Sequence, residues 1–129
     1  MQLKLVSWNV NGLRAVAGKP EWQWFAQTDA QVVALQETKA HPDQLSEEVR
    51  DPEGWESHWS WSTVKKGYSG VAVFSKVPSL NASIELPQPE FQGEGRLLHL
   101  EYPQFHFFNG YFPNGGAEEL DDNGKPTGR

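Results

Sequence analysis

Three observations predict an α/β fold for this chain of 129 residues. The run Gln31-Val32-Val33-Ala34-Leu35 is apolar and rich in β-branched residues, the pattern of a strand buried on both faces. A strand pattern and a helix pattern precede it, giving the order strand, helix, strand. A second buried-strand pattern, Val71-Ala72-Val73-Phe74-Ser75, lies downstream and is followed by two alternating segments.

In chain order, residues 3–8 alternate as a first strand, and Asn9-Val10-Asn11-Gly12 supplies turn chemistry at its end. Residues 13–17 suit a short helical turn. Pro20 stands at the first position of a helix over 20–27, with Glu21 in its first turn and Trp22, Phe25 and Ala26 on one face. The strand that follows ends at Glu37, Thr38 and Lys39. A right-handed crossover makes these two strands parallel neighbours, which sets Asn9 and Glu37 at one edge. Residues 41–50 predict a second short helix, closed by Asp51-Pro52-Glu53-Gly54. Trp55, Ser57, Trp59 and Trp61 share a strand face by the period of two, and are expected in the core. Lys65-Lys66-Gly67-Tyr68-Ser69-Gly70 is a basic, glycine-bracketed loop. Another strand is expected within 78–86, a loop over 87–95, and a hairpin from 97–102 and 105–111 turning near Pro103-Gln104. From Phe112 onward the pattern dissolves, so 115–129 is expected to be a flexible tail behind a unit spanning 1–114.

The absence of cysteine excludes disulfides and thiolate metal sites, and suits a reducing compartment; a cytoplasmic location is the expectation. No window approaches the roughly 20 apolar residues of a membrane span, and no leader pattern is seen at the start. The net charge of −6 argues against non-specific nucleic-acid binding through a generally basic surface. Any polyanion must therefore be met by a local cation cluster or a metal ion. Six Trp and seven Phe are more aromatic surface than a small acidic domain needs for itself.

Glu37 at the carboxyl end of a buried strand occupies the position where layered α/β proteins bind ligands, and a carboxylate there is hard-oxygen ligation for a cation such as Mg²⁺. A solvated strand-end acid is the simpler alternative for Glu37 taken alone. Tyr111 likewise suits a core aromatic, Asn114-Gly115 a turn, Glu94-Gly95-Arg96 a loop ion pair, and Arg14, Lys65 and Lys66 solvated surface. The four His are scattered and carry no assigned chemistry.

Five segments in succession change that balance: Ser7-Trp8-Asn9-Val10-Asn11-Gly12-Leu13-Arg14, Leu35-Gln36-Glu37-Thr38-Lys39, Gly67-Tyr68-Ser69-Gly70-Val71-Ala72, Glu94-Gly95-Arg96 and Asn109-Gly110-Tyr111-Phe112-Pro113-Asn114. Together they resemble the motifs of exodeoxyribonuclease III, the abasic-site endonuclease family, in the expected order up to Asn114. The resemblance implies a four-layered α/β sandwich of the endonuclease/exonuclease/phosphatase superfamily. It implies a Mg²⁺-dependent phosphodiesterase, with Mn²⁺ as a substitute, acting on double-stranded DNA at abasic sites or 3′ ends. Glu37 is then the metal ligand with Asn9 beside it, while Asn11 stands where some relatives carry Asp. Tyr111 and Asn114 are the catalytic pair at the scissile phosphate, and Arg14, Lys39, Tyr68, Gly70 and Arg96 contact the substrate.

The family's later Gly-Asp-x-Asn and Ser-Asp-His motifs have no counterpart here, and Asp121-Asp122-Asn123-Gly124 lacks the buried strand that precedes the former. The expectation is therefore the amino-terminal half of the sandwich, about one sheet's worth, inactive alone and either completed by a carboxyl-terminal half or self-associating through its exposed face. Two alternatives stand beside it: a non-catalytic DNA- or partner-binding fragment, and a superfamily phosphodiesterase with a non-DNA substrate.

Overall fold

The computed structural model describes residues 3–84 and 93–111. Its first sheet has the order β1 (Leu5–Asn9), β2 (Val32–Gln36), β4 (Val71–Ser75), β3 (Glu56–Ser60). β1 and β2 are parallel, as the crossover rule requires, with Asn9 opposite Gln36; β4 is antiparallel to both β2 and β3. A second sheet has the order β5 (Asn81–Ser83), β6 (Leu97–Glu101), β7 (His106–Gly110). Its hairpin is closed by Tyr102 N–H donating to the Phe105 carbonyl over 2.8 Å.

Alternation of side chains along β2 and β4 sorts the core into two layers. Val33, Leu35, Ala72 and Phe74 face a helical layer that contributes Leu13 and Phe25. Val32, Ala34, Val71 and Val73 face the second sheet through Leu98, Leu100 and Tyr102. Both central strands are thus covered on each side, which explains why their sequences run apolar without a polar alternate. The expectation of one sheet's worth of the sandwich is corrected by this packing. The chain carries parts of both sheets, because the hairpin folds over the face of β2 and β4 instead of extending their sheet.

The helical layer is built from short pieces. α1 (Leu13–Val16) follows β1, and Pro20–Trp22 forms a 3₁₀ turn leading into α2 (Gln23–Gln27). Phe25 is the anchor: its ring lies 4.9 Å from Phe74, 4.9 Å from Trp55 and 5.0 Å from Trp22, centroid to centroid. Ala26, expected on the same face, is exposed. The single helix expected over 41–50 is instead a 3₁₀ turn, Pro42–Gln44, and a separate α3 (Glu47–Arg50). Leu45 and Ser46 adopt extended backbone between them, and Ser46 starts a new helix instead of continuing the old one. The strand within 78–86 is confined to Asn81–Ser83. Among the described residues no helix is long and apolar enough to cross a membrane.

Candidate active site at the strand ends

The carboxyl ends of β1 and β2 continue as loops that remain hydrogen-bonded to one another. Val10 N–H donates to Gln36 O, Gly12 N–H to Glu37 O and Leu13 N–H to Thr38 O; Thr38 N–H reaches Gly70 O, Lys39 N–H reaches Ser69 O, and Gly70 N–H reaches Gly95 O. Four chain segments are laced by backbone bonds of 2.7–3.1 Å. Asn11, Glu37, Lys39 and Ser69, all in this lacing, have positive φ of 47°, 56°, 54° and 56°. Left-handed backbone costs roughly 1–3 kcal/mol at such residues and persists only where surrounding bonds over-determine it. These backbone bonds hold that conformation, and their effect is to turn the Glu37 side chain out of the alternation that buries Leu35.

Glu37 receives the Tyr111 hydroxyl, which donates to Oε1. Its Oε2 lies 3.9 Å from Lys39 Nζ, and that ammonium donates to Asn11 Oδ1 at 2.8 Å. Asn9 Oδ1 accepts from Asn11 N–H at 3.0 Å, so Asn9 is held at the end of β1 one register step from Glu37. Burial, then the bond to Glu37 and its negative charge, push the Tyr111 hydroxyl up to about 12, with Arg96 opposing. Tyr111 is therefore a neutral donor at physiological pH.

Arg96 links the remaining parts. Its backbone carbonyl accepts from Tyr111 N–H at 2.8 Å, its guanidinium pairs with Glu94 at 3.0 Å, and Nη2 donates to the Tyr68 hydroxyl. The Arg96 side chain is largely enclosed by these contacts, which tie it to Tyr68 and, through its backbone, to Tyr111. Gly70 is buried with φ +97°, and a Cβ there would collide with Thr38 Oγ1. Gly67, by contrast, is exposed with open space where a Cβ would stand. Arg14 and Lys39 line one cleft of about 450 Å³ together with Gly12, Thr38 and Gly67. Asn114 lies outside the described residues.

The hard-oxygen donors at this place are the Glu37 carboxylate and the Asn9 amide oxygen. That set suits Mg²⁺, which takes one or two carboxylates and keeps several waters. Among the described residues no group of three His, Cys, Asp or Glu side chains forms a closed metal cage.

Two residues, one behind the site and one beside it, carry no sequence signal that periodicity reads. Asn109, buried on β7, donates to the carbonyls of Leu35 and Ala72 at 3.0 and 2.9 Å and accepts from Gln36 at 2.9 Å. It ties the second sheet to the first one residue before Glu37 and two before Tyr111. Trp61 is the other. β3 ends at Ser60, and only Trp55 and Trp59 of the tryptophan series pack in the core. Trp61 turns instead onto His41, 4.7 Å between ring centroids, in a second cleft.

The Endonuclease/Exonuclease/phosphatase family matches residues 6–125 of this chain. An exodeoxyribonuclease of Bacillus subtilis is 40% identical over 122 residues, which are 92% of this chain and 47% of the relative. The DNA repair nuclease APEX1 of Danio rerio is 37% identical over 122 residues, 92% of this chain and 39% of the relative. The chain thus spans less than half the length of these relatives. Among solved structures, the 3′ phosphatase NExo from Neisseria, bound to a product DNA hairpin, superposes with a TM-score of 0.72 at 25% identity, over 88% of this chain and 43% of that one.

Proposed function

This chain belongs to the endonuclease/exonuclease/phosphatase family, and from that premise we propose that it is part of a Mg²⁺-dependent DNA-repair phosphodiesterase, an abasic-site endonuclease and 3′-to-5′ exonuclease. The observation that carries the proposal is the Tyr111 hydroxyl on the Glu37 carboxylate, which brings a phenol from the second sheet to an acid at the end of the first.

Hydrolysis of a phosphodiester needs charge neutralised on the non-bridging oxygens, a positioned water and help for the leaving 3′ oxygen. Glu37 and Asn9 would hold Mg²⁺, which supplies charge neutralisation at the phosphate. Tyr111, protonated at neutral pH, offers its hydrogen to a phosphate oxygen once Glu37 is otherwise engaged. Asn114 is the second donor assigned to that phosphate, and its amide suits the task. Lys39 and Arg14 line the adjoining cleft as cations for the flanking DNA backbone, while the glycine at position 67 admits that backbone closely. Arg96 acts behind them by holding Tyr68 and Tyr111.

Gly-Asp-x-Asn and Ser-Asp-His groups are absent from this sequence, so the 129-residue chain alone is expected to bind and not to turn over. A labelled duplex with one abasic site, titrated with the chain in Mg²⁺ and in EDTA, tests the reading. Binding strengthened by Mg²⁺, with that increment lost in Glu37→Gln, is the expected result. Equal binding with and without metal by both proteins removes Glu37 from the metal site. No binding to abasic or intact duplex overturns the DNA assignment itself.

A further inference from the structure

Trp61, His41, Lys65 and Lys66 line a cleft of about 430 Å³ beside the site, and neither the phosphate chemistry nor the core accounts for them. Trp61 is half-buried yet outside both core clusters, so its ring is placed by local contacts, not by packing beneath the sheet. The partner ring is fixed. His41 N–H donates to Gln44 Oε1 at 2.9 Å, and its Nδ1 accepts from Asp43 N–H at 3.0 Å. The bond at Nδ1 orients the imidazole toward the indole, and the backbone bond fixes the turn that carries it.

The opposite wall is anchored at its base and free at its tip. Thr63 N–H donates to Gly93 O at 2.7 Å and Lys65 N–H to Ser62 Oγ at 3.0 Å, leaving the Lys65 and Lys66 side chains exposed. Lys65 Nζ sits 5.5 Å over the Tyr68 ring. Tyr68 in turn accepts from Arg96, the residue that joins it to Tyr111. Gly67 borders both this cleft and the Arg14–Lys39 cleft, so a strand leaving the reacting phosphate across Gly67 enters here.

We propose that this cleft is a subsite for one unpaired nucleotide of the DNA, with its base on the Trp61 ring and its phosphate toward Lys65 and Lys66. An indole face with flanking ammonium groups is the combination that takes single-stranded nucleic acid without reading its sequence. The base has to be unpaired because a duplex hides both its faces in the stack. Asp43 also lines the cleft and opposes the anion, but two lysines outnumber one carboxylate. The inference rests on the DNA-repair reading above and adds a substrate preference: duplexes with an overhang, a frayed end or a mismatch beside the target.

Fluorescence anisotropy with the 129-residue chain tests it, using a blunt abasic duplex and the same duplex carrying a short overhang. The wild type is expected to bind the overhang form about tenfold more tightly, since one stacked base contributes that much. Trp61→Ala should collapse the ratio to near one while leaving blunt-duplex affinity unchanged, and Trp61→Phe should retain most of it. The double variant Lys65→Gln/Lys66→Gln should lower the salt dependence for the overhang form more than for the blunt one. Circular dichroism melts of each variant identify any that misfold; if Trp61→Ala does, the lysine double variant decides, and an equal salt dependence for both DNA forms in it and in the wild type overturns the subsite. A wild-type ratio near one, or a ratio that survives Trp61→Ala, overturns the subsite alone. Failure of the wild type to bind either DNA overturns the DNA-repair reading and the subsite with it.

Discussion

Tyr111 shows how one side chain reports its surroundings. Its pKa is raised to about 12 by burial and by the Glu37 carboxylate, against 10 for a free phenol. In the unfolded chain the phenol ionises near its ordinary value, so between pH 10 and about 12 the native state retains a proton that the unfolded state has lost. Stability contributed by this group is therefore complete below pH 10 and falls as the pH rises through 12. Absorbance titration of phenolate should show Tyr111 ionising late, and Glu37→Gln should move its titration toward 10. An unchanged midpoint in that variant would separate the two groups. That Glu37 and Tyr111 converge on one place was legible from their motifs; the hydrogen bond between them was not. What was also not legible is Thr38, whose buried Oγ1 has no hydrogen-bond partner among the described residues and occupies the place where a Cβ on Gly70 would stand. A hydroxyl between two charged neighbours reads as solvated until the loop that covers it is known.

At the scale of elements, strand and hairpin placement followed from alternation because burial on one or both faces dictates residue type directly. The helices were less legible. Residues 41–50 have helical composition but break at Leu45, since Ser46 serves as a new N-terminal boundary and three- or four-residue helices carry almost no periodic signal. The tryptophan series was misread at its end for a related reason: alternation identifies a face but not where the strand stops, and Trp61 lies one residue past β3. Asn109 is the element-scale feature with the largest consequence. Its amide satisfies two backbone carbonyls on adjacent strands, Leu35 and Ala72, as well as Gln36. Asn109→Leu removes three hydrogen bonds between the sheets, two donated to carbonyls that also belong to the β2–β4 ladder and one accepted from Gln36, each contributing about 1 kcal/mol. Urea denaturation should register a loss of about 3 kcal/mol, and the late ionisation of Tyr111 should shift downward as the hairpin loosens over Glu37. A loss below about 1 kcal/mol would mean that water replaces the amide without strain.

The molecule as a whole combines a local site with surfaces that no part of the described chain covers. Leu5 on β1 and Phe108 on β7 are 47% and 60% exposed. Phe108 is stacked on His99, 4.2 Å between centroids, along the outer face of the second sheet. Leu3 and Leu5 meet Gln104 and Phe105 in a groove of about 420 Å³. Among the described residues β1 and β7 also end their sheets, and such edges offer backbone donors and acceptors for pairing. Burying a Leu or Phe side chain stabilises by about 1.5–3 kcal/mol, and a symmetric contact buries each residue twice. The net charge of −6 opposes association, but salt screens it while leaving the apolar contribution intact. Sedimentation velocity of the isolated 129-residue chain is therefore expected to show concentration-dependent association that increases with ionic strength. Phe108→Lys should shift the population toward monomer without lowering the melting temperature, because the ring is absent from both core clusters. A wild-type chain that melts cooperatively and stays monomeric at high concentration and high salt would show that these faces are stable in water as they stand, and that neither a second copy nor a covering segment is needed to complete them.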